Sequence, residues 1–582
     1  MYQVSHCQQF LSKEVLNPMI NNAHLLLEFM EFVDLFNQPS KQKKIPASSP
    51  IKLKQIFLTQ LTAILTDADV SFGKLLLDSI SNFIHKILEG IAVSERKEEL
   101  IQELIIIFSP DQHQKAFSAS RTTVQEHLPA LTKHQLDRQL EQDYQKQMQM
   151  RKAHHAKSAQ VTLAIDYSHE RTSSKHRNNQ HTYVRIGQRK IWEQGFNYSS
   201  VYDATHQMFL GLIHHNDHKI KRDRRTFQPW ITHLRDKILA VERAGSQVTL
   251  IEADRGYFDS EFFALSHLGL LRGVDMPRKF IRVITPRKFS RNKEDSMWTY
   301  LLSENSMQVS TQTMNLNYYS PQPLIQACDE NAVPYADGIY HIPVAQVVLI
   351  DEYGATKQKT FEEAKEAAKQ IQKQLELRKE RLEVAEMQYS RFKTKGKDST
   401  YRLKYRRNRR RKKFRNSEEE RLYTTCYELH DQLRVIEARK QDLLHSIMFF
   451  YVSIAPNEDP SRYPEKYIHF AKDYHERWGI ENGFRDTKQK FLHNSRSQKP
   501  TRRQFYWVQG LMLYNRWQSH KCLDMLAQER KRVHNIVPWD SRRAHIRKKL
   551  EKTVRTEWSA KAYLLCLWET GLRLCLEDIL KT

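Results

Sequence analysis

The spacing of hydrophobic residues changes at about Val161, and this change separates a helical first part of the chain from a part that contains strands. Before this point, the segments NAHLLLEFMEFVDLF and FGKLLLDSISNFIHKILEGI carry apolar residues three and four positions apart, the spacing of amphipathic helices. A segment opening at about Thr122 fits either a helix-turn-helix or an ordinary surface helix, and the lack of a glycine at the turn favours the surface helix. The pattern predicts a helical N-terminal domain.

After Val161, alternating and short apolar runs predict a sheet with helices packed on it. The segments VTLAIDYS and FNYSSVYDATHQMFLGLIHH predict three strands, the last two joined by a turn at residues 203–205. A helix is then expected from about Thr226 to Arg243, followed by a strand in QVTLIEAD, a capped helix in DSEFFALSHLG and a strand in LLRGVDMP. This order is typical of an α/β fold with a mixed sheet.

From about Arg291 the order breaks, and the pattern predicts an inserted helical hairpin. YHIPVAQVVLIDEY and HSIMFFYVSIAP predict two strands, and the charged segments between them favour two long antiparallel helices. The tip between these helices is RLKYRRNRRRKKFR, in which ten of the fourteen residues 402–415 are Lys or Arg. After Pro464 a long helix is expected to run to about Leu492, and a capping box at Thr501 and Gln504 predicts the start of another helix.

Composition and charge narrow the classes of function. The chain has 582 residues, with 93 Lys and Arg against 68 Asp and Glu, and its formal net charge is +25. A charge of this sign and size favours a polyanionic partner, most often nucleic acid. No apolar run approaches the length of a membrane span and the start lacks a signal-peptide core, so we expect a cytoplasmic protein without membrane association. The cysteines are scattered without a C-x-x-C pair, which predicts no zinc site.

Two aspartates in or beside apolar strands are candidates for chemistry. Asp166 lies inside VTLAIDYS, where a charge is costly unless it is paired or binds a metal. Asp254 ends QVTLIEAD, and ligand sites in such sheets lie beyond the carboxyl ends of parallel strands. Taken singly, each is better explained as an ordinary hydrogen-bonded aspartate at a strand end.

A third candidate group lies in KDYHERWGIENGFRDTKQKF. If this segment is one helix, four side chains fall within about 60° of one face: Tyr474, Arg477, Glu481 and Lys488. Arg485 lies at the edge of the same face. The simpler alternative is a surface helix with a salt bridge between Arg477 and Glu481, but it leaves Tyr474 and Lys488 unexplained.

The spacing Tyr474-x2-Arg477-x3-Glu481-x6-Lys488 resembles the tyrosine–arginine–glutamate–lysine signature of DDE transposases of the insertion-sequence four group. DRGYF at Asp254 resembles that family's second-aspartate motif, and SRSQKPTRRQFYWVQGLMLYNRW resembles the helical region after the glutamate. The resemblance covers roughly residues 160–290 and 445–520. A basic helical hairpin differs from the strand-rich insertion expected in the family, so the resemblance gives the insertion no role.

The resemblance implies a ribonuclease-H-like core in which Asp166, Asp254 and Glu481 bind two Mg²⁺ or Mn²⁺ ions. Hard cations prefer oxygen ligands, and two such ions suit in-line displacement at phosphorus. The resemblance also implies phosphate contacts for Tyr474, Arg477 and Lys488, since Arg gives bidentate contacts and Lys a point charge. Arg485, at the edge of the same face, is expected to add a further contact with DNA.

The implied activity is that of a DNA transposase. Such a protein binds element ends, cleaves DNA by metal-dependent hydrolysis and transfers 3′-hydroxyl ends to target DNA, as a homodimer when two ends are paired. It would associate with the nucleoid of a prokaryote. Two alternatives stay open: a metal-dependent nuclease on the same core, and a non-catalytic nucleic-acid-binding protein. A zinc or histidine-nuclease role for His214, His215 and His218 is less favoured, because basic loops often carry histidines.

Five regions are therefore predicted: a helical domain that binds DNA ends (1–155), the first part of the core (156–290), the insertion with the basic hairpin (291–445), the second part of the core (446–525) and a basic helical C-terminal region (526–582). Seven cations of the hairpin tip are expected to contact DNA, at a reach of roughly 40 Å along helices that rise 1.5 Å per residue. They are Arg406, Arg407, Arg409, Arg410, Arg411, Lys412 and Lys413.

Overall fold

The computed structural model describes most of the chain between residues 131 and 534, with shorter stretches outside it. The described residues are 23–34, 50–65, 131–153, 157–171, 182–186, 191–215, 227–286, 291–304, 306–317, 320–350, 360–390, 417–474, 478–492, 500–534, 560, 563–564, 567–568 and 570–571.

Within these residues the α-helices are α1 (Ala23–Asp34), α2 (Pro50–Leu65), α3 (Lys133–Ala153), α4 (Pro229–Arg243), α5 (Ser260–His267), α6 (Arg291–Leu302), α7 (Gln322–Glu330), α8 (Phe361–Ser390), α9 (Ser417–His445), α10 (Pro464–Asp473), α11 (Trp478–Asp486) and α12 (Pro500–His534). Single 3₁₀ turns lie at Arg255–Tyr257 and Pro460–Arg462, and a π-helix at Thr487–Phe491 follows α11. None of the described helices is both long and apolar enough to cross a lipid bilayer.

The strands in the described residues are β1 (Gln160–Arg171), β2 (Thr182–Ile186), β3 (Ile191–Asp203), β4 (Met208–His215), β5 (Gln247–Ala253), β6 (Arg282–Pro286), β7 (Val309–Asn317), β8 (Tyr335–Ala336), β9 (Ile339–Ile350) and β10 (Ile447–Ser453). Together with the helices they form a mixed α/β fold, as the sequence predicts. The chain divides into two compact units, Met1–Glu252 with Glu476–Thr582 and Ala253–His475.

The sheet of the first unit is built around β3, which pairs antiparallel with β1, β2 and β4. Asp166 of β1 lies opposite Ser200 of β3, and a bulge at Val201 and Tyr202 shifts the pairing with β4. β5 lies beside β1. At the start of β5, the Gln247 N–H donates to the carbonyl of Ala159, so β1 and β5 begin at the same end of the sheet.

Side chains of two helices cover the outer backbone edge of β4. Asn515 of α12 accepts from the Phe209 N–H and donates to the Phe209 carbonyl, at 2.8 and 2.7 Å. Asp137 of α3 accepts from the Leu212 N–H at 2.8 Å, and Gln504 donates to the Leu212 carbonyl at 3.0 Å. These bonds satisfy backbone groups that an edge strand would otherwise expose.

Helices α1, α2, α3, α11 and α12 contribute to one hydrophobic core with β1, β3 and β4. Its buried members include Phe29 and Phe57 near the N-terminus and Phe484 and Trp507 nearer the C-terminus. A buried ion pair between Arg516 of α12 and Asp143 of α3 crosses the same core, at 2.8 Å. The N-terminal helices α1 and α2 therefore pack into the unit that carries Asp166.

The second unit contains an antiparallel sheet in the order β6, β10, β9, β7, with the short β8 beside β9. The hairpin of α8 and α9 leaves this sheet, and its base packs on β9 and β10 through Phe361, Leu443 and Phe449. Its seam is closed by apolar residues at heptad-like spacing: Leu375, Leu382, Ala385, Tyr389, Leu422, Cys426, Leu429, Leu433 and Ile436.

Most predicted elements are confirmed, including the turn between β3 and β4, helices α4 and α5, and the hairpin helices. The strand predicted in LLRGVDMP is wrong: this segment forms turns, and β6 begins only at Arg282. Gly269 and Gly273 take φ values of 71° and 138° there, which a strand does not allow. The capping box is also wrong, because Gln504 faces inward and donates to the carbonyls of Lys133 and Leu212.

The long helix predicted from Pro464 to Leu492 is described in two parts, and residues 475–477 between them lie outside the described residues. α10 ends at Asp473, α11 begins at Trp478, and the last turn is a π-helix with a bond from the Leu492 N–H to the Thr487 carbonyl at 3.1 Å. Several predictions fall outside the described residues: the second N-terminal helical segment, the helix near Thr122, Arg477, the hairpin tip at 402–415 and most of the C-terminal region.

Candidate functional site

One face of β1 carries a row of polar side chains in the first unit. Strand alternation places Asp166, Ser168 and Glu170 on the same face, because side chains two apart point to the same side. Ala164 precedes them on this face and belongs to the core that α11 and α12 cover. Asp166 is only 8% exposed, and its Oδ1 accepts from the Tyr167 N–H at 2.7 Å. The row therefore lies at the sheet surface beneath these two helices.

Helix α11, which carries Glu481, packs against β1 and the neighbouring strands. Two glycines allow the close approach: a Cβ at Gly479 would lie 3.1 Å from the Tyr202 ring, and one at Gly483 would lie 2.9 Å from the Phe209 ring. Ile480 and Phe484 are buried on the same side. Glu481 follows Ile480 in the first turn of α11 and is exposed.

Two cations follow Glu481 at an exposed surface. Arg485 is exposed and donates to the side chain of Asn482 at 2.8 Å. The π-helix changes the direction of Lys488, because its i→i+5 bonds break the 100° spacing from which a common face with Glu481 was predicted. Lys488 nevertheless lies near the polar row of β1, as its electrostatic partners show.

Lys488 combines a charged group with a partly apolar setting. It keeps an exposed surface, and its ammonium lies 5.5 Å from the centroid of the Trp507 ring, within cation–π range. Burial lowers the pKa of Lys488, while the carboxylates of Glu170 and Asp166 act in the opposite direction. Both carboxylates are therefore close enough to stabilise the ammonium form.

The carboxylate of Glu170 accepts hydrogen bonds from two residues of α12 and one residue of β3. Its Oε1 accepts from the guanidinium of Arg503, and its Oε2 accepts from the indole N–H of Trp507 at 3.0 Å and from the Tyr198 hydroxyl at 3.4 Å. Arg503 is only 4% exposed and also lies over the Phe196 ring, at 5.0 Å from its centroid. The result is an ion pair between β1 and α12 in which Arg503 is buried and Glu170 is partly exposed.

Asp254 lies in the second unit, immediately after β5, and is half-buried. Its carbonyl accepts from the Tyr257 N–H at 2.8 Å, which closes a 3₁₀ turn. Tyr474 belongs to the same unit: its ring is buried against Phe450, and its hydroxyl donates to the carbonyl of Ala253 at 3.3 Å. Tyr474 thus holds the strand end that precedes Asp254, and a phosphate contact by Tyr474 stays a prediction.

The site residues that the structure describes are divided between the two units. Asp166, Glu481, Arg485 and Lys488 belong to the first unit, and Asp254 and Tyr474 belong to the second. Among the described residues, no group of three or more His, Cys, Asp or Glu side chains is arranged to hold a metal ion. The donor chemistry of the three carboxylates fits Mg²⁺ or Mn²⁺, whereas a ready-made three-ligand site is not present in the described part of the chain.

Glu170, Arg503 and Trp507 were not predicted from the sequence. Glu170 was detectable, because the pattern D-Y-S-H-E places it two alternations after Asp166. Arg503 and Trp507 are four residues apart and share a helix face, but nothing in that spacing identifies Glu170 as their partner. His214 is buried, and its Nδ1 lies 2.9 Å from the Lys133 ammonium; His218 lies outside the described residues.

Comparisons with known proteins add little to these observations. No protein-family model matches the chain, and no curated protein sequence matches it. Among solved structures, a cryo-EM structure of a piggyBac transposase synaptic complex with hairpin DNA is similar to the chain, with 8% sequence identity and a TM-score of 0.39. The match covers 100% of this chain and 82% of that chain. A likeness at this level does not establish a shared fold or function.

Proposed function

We propose that this protein is a DNA transposase that cuts and joins DNA by metal-dependent phosphoryl transfer. The observation that carries the proposal is local to the first unit. Helix α11, with Glu481, packs on the strand that carries Asp166 and Glu170. The ammonium of Lys488 lies 5.5 Å from the ring of Trp507, whose indole N–H donates to Glu170 at 3.0 Å. Acidic metal ligands beside a phosphate-binding cation are the groups that phosphoryl transfer requires.

A ribonuclease-H-like core is part of the proposal. The order of elements supports it: four antiparallel strands, a helix, a strand beside β1, a further helix and a further strand. Asp166 lies within β1, and Asp254 comes directly after the last residue of β5. β1 and β5 start side by side, so Asp254 follows the carboxyl end of β5. Ligand sites of α/β sheets lie at this end of the strands.

The metal ligands would be Asp166, Asp254 and Glu481. When bound, two divalent ions supply an activated water or 3′-hydroxyl and stabilise the leaving oxygen. The chain's own groups do the rest: the carboxylates hold the ions, and Lys488 and Arg485 bind DNA phosphates. Asp254 would join Asp166 and Glu481 as the third ligand when the protein binds DNA and metal.

The charge of the chain supports DNA as the substrate. The net charge of +25 favours a polyanion, and the hairpin of α8 and α9 ends in a tip with ten cations in fourteen residues. We propose that the tip contacts duplex DNA away from the cut site, and that two copies of the protein pair two element ends.

Cleavage of DNA that carries the sequences flanking the reading frame tests the proposed function. In Mg²⁺ or Mn²⁺, the parent protein should cut at the 3′ ends and should join pre-cut 3′-hydroxyl ends to a second duplex. Asp166→Asn, Asp254→Asn and Glu481→Gln should each lower cleavage at least 100-fold while duplex binding persists, because an amide is a poorer ligand for a hard cation than a carboxylate.

A matched control is Asp486→Asn, since Asp486 pairs with Lys490 at 2.9 Å near the end of the same helix. This variant should cleave at the parent rate. Cleavage without joining would favour the alternative of a metal-dependent nuclease. Duplex binding without any metal-dependent cleavage by the parent would refute the enzyme and favour a non-catalytic binding protein.

A further inference from the structure

Glu170 is an acidic side chain near Asp166 that the proposed metal site does not use. We infer that Glu170 is a positioning residue: its hydrogen bond with Trp507 holds in place the indole ring against which the Lys488 ammonium lies. This inference rests on the proposed function in one respect only, namely that Lys488 binds a DNA phosphate. The competing explanation is that Glu170 is an additional metal ligand.

The contacts of Glu170 favour positioning. Both of its carboxylate oxygens accept hydrogen bonds from protein donors, namely Arg503, Trp507 and Tyr198. All three donors are buried. Three of the about four acceptor positions of the carboxylate are therefore occupied by buried donors. A metal ion that displaced one of these donors would leave it unpaired, at a cost of about 1–3 kcal/mol.

Trp507 contacts both Glu170 and Lys488, the residue proposed to bind a DNA phosphate. Its indole N–H donates to Glu170, its ring lies 5.5 Å from the Lys488 ammonium, and its ring also meets Phe484 of α11 edge-on at 5.9 Å. Arg503, one turn earlier in α12, fixes the other oxygen of Glu170. The indole is therefore held from β1 while it contacts both Lys488 and the helix that carries Glu481.

A neighbouring lysine offers an internal control. Lys490, on the same π-helix, lies 5.4 Å from the centroid of the Trp517 ring, and Trp517 is one of the α12 aromatic residues. Lys490 pairs with Asp486, and no contact links it to Glu170. A change at Glu170 should therefore alter the surroundings of Lys488 and leave those of Lys490 unaltered.

The first test needs no catalysis. The full-length protein, with and without Glu170→Gln, is treated briefly with an amine-reactive ester, and the labelling of both lysines is measured by peptide mass spectrometry. Glu170→Gln should change the ratio of Lys488 to Lys490 labelling at least threefold. Glu141→Gln serves as the matched control, because Glu141 pairs with Lys237 and Arg243 elsewhere in the unit, and it should leave the ratio unchanged. An unchanged ratio in Glu170→Gln would overturn the inference.

The second test separates positioning from metal binding. Mn²⁺ affinity, measured by calorimetry, should stay within twofold of the parent in Glu170→Gln, and a tenfold loss would identify Glu170 as a ligand instead. In cleavage, Glu170→Gln should raise KM for DNA about tenfold with little change in kcat. Combined with Lys488→Met, it should add no further defect. An additive defect would mean that Glu170 does not act through Lys488.

Loss of folding is distinguishable from both results. Removing the carboxylate leaves a buried guanidinium at Arg503, so Glu170→Ala is unsuitable, whereas Glu170→Gln keeps an acceptor. The double variant Glu170→Gln with Arg503→Gln removes both charges and should show the same labelling ratio as Glu170→Gln. A parental ratio in the double variant would contradict the inference. If the parent does not cleave DNA, the proposed function fails while the labelling experiment still decides the role of Glu170.

Discussion

Two glycines determine how closely the helix that carries Glu481 approaches the sheet. Gly483 faces the ring of Phe209, which is itself packed against Tyr202, Phe484 and Tyr514. A side chain at this position must displace a ring that has no free volume around it. The position of Glu481 above β1 therefore depends on residues that carry no functional group.

Gly483→Ala should destabilise the protein and lower cleavage. Alanine favours a helix by about 1 kcal/mol, but overpacking a core costs about 1–3 kcal/mol, and the 2.9 Å approach to Phe209 makes the second effect the larger one. Thermal unfolding should show a lower Tm than in the parent. Asn482→Ala, on the exposed side of the same helix, is the control and should change Tm by less than a third as much. A raised Tm in Gly483→Ala would show that α11 does not pack this closely.

A single carboxylate should control much of the acid sensitivity of the second unit. Burial alone would raise the pKa of Glu458, but hydrogen bonds from Lys466 and Arg282 lower it from 4.5 to about 2. Because the folded-state pKa is depressed, the stabilisation is fully present above pH 4.5 and is lost as the pH falls towards 2. After allowance for solvent screening it should amount to about 1–2 kcal/mol.

Denaturation of Glu458→Gln across pH tests this expectation. The variant should be less stable than the parent at pH 7, and the difference should shrink steadily between pH 4.5 and 2. Glu465→Gln, a carboxylate in the first turn of α10, is the comparison and should show no such convergence. A constant difference between parent and Glu458→Gln over this range would mean that the carboxylate is not stabilised by its cations.

At the scale of elements, α12 organises the first unit. It binds the backbone edge of β4 through Asn515, pairs with α3 through Arg516, and reaches β1 through Arg503 and Trp507. Sequence periodicity predicts such a helix, but not which of its polar residues face inward. Gln504 shows the difference, because a capping pattern suggested a local role and the structure gives it a long-range one.

The segment that carries Tyr474 and Glu481 gives a comparable result. A continuous helix places both side chains on one face, whereas Tyr474 is buried against Phe450 and donates to the carbonyl of Ala253. Side-chain spacing specifies a common face only if the backbone stays helical, and tertiary contacts decide whether it does. The π-helix at Thr487–Phe491 is a departure from this spacing, and it has no distinct sequence signal.

The long hairpin should act as a DNA arm that does not read sequence. Neutralising the cations at 406–413 should weaken binding to random and end-containing duplexes by similar factors. Each lost phosphate contact should reduce the slope of log K against log salt by about 0.9. Neutral substitutions of the exposed cations Lys369, Lys373 and Lys379 on α8 are the control and should reduce the slope much less. Equal binding of parent and tip variant at every salt concentration would exclude a DNA role for the tip.

At the scale of the whole molecule, the three candidate carboxylates are distributed over two units. Strand alternation and buried aspartates make Asp166 and Asp254 predictable, and the mixed sheet follows from the order of apolar runs. The boundary between the two units, which falls after Glu252 in β5, was not predictable from the sequence. It depends on how the helical hairpin packs on β9 and β10. The proposed activity requires Asp166, Asp254 and Glu481 to bind the same metal ions.

Iron-directed cleavage of the polypeptide tests this requirement most directly. Fe²⁺ bound in place of Mg²⁺, with ascorbate and peroxide, cuts the backbone next to the bound ion, and mass spectrometry locates the cuts. In the presence of duplex DNA, the account predicts cuts beside Asp166, Asp254 and Glu481, all suppressed by excess Mg²⁺ and all lost together in Asp166→Asn. Cuts confined to one unit, or cuts near Asp254 that persist in Asp166→Asn, would contradict a shared metal site.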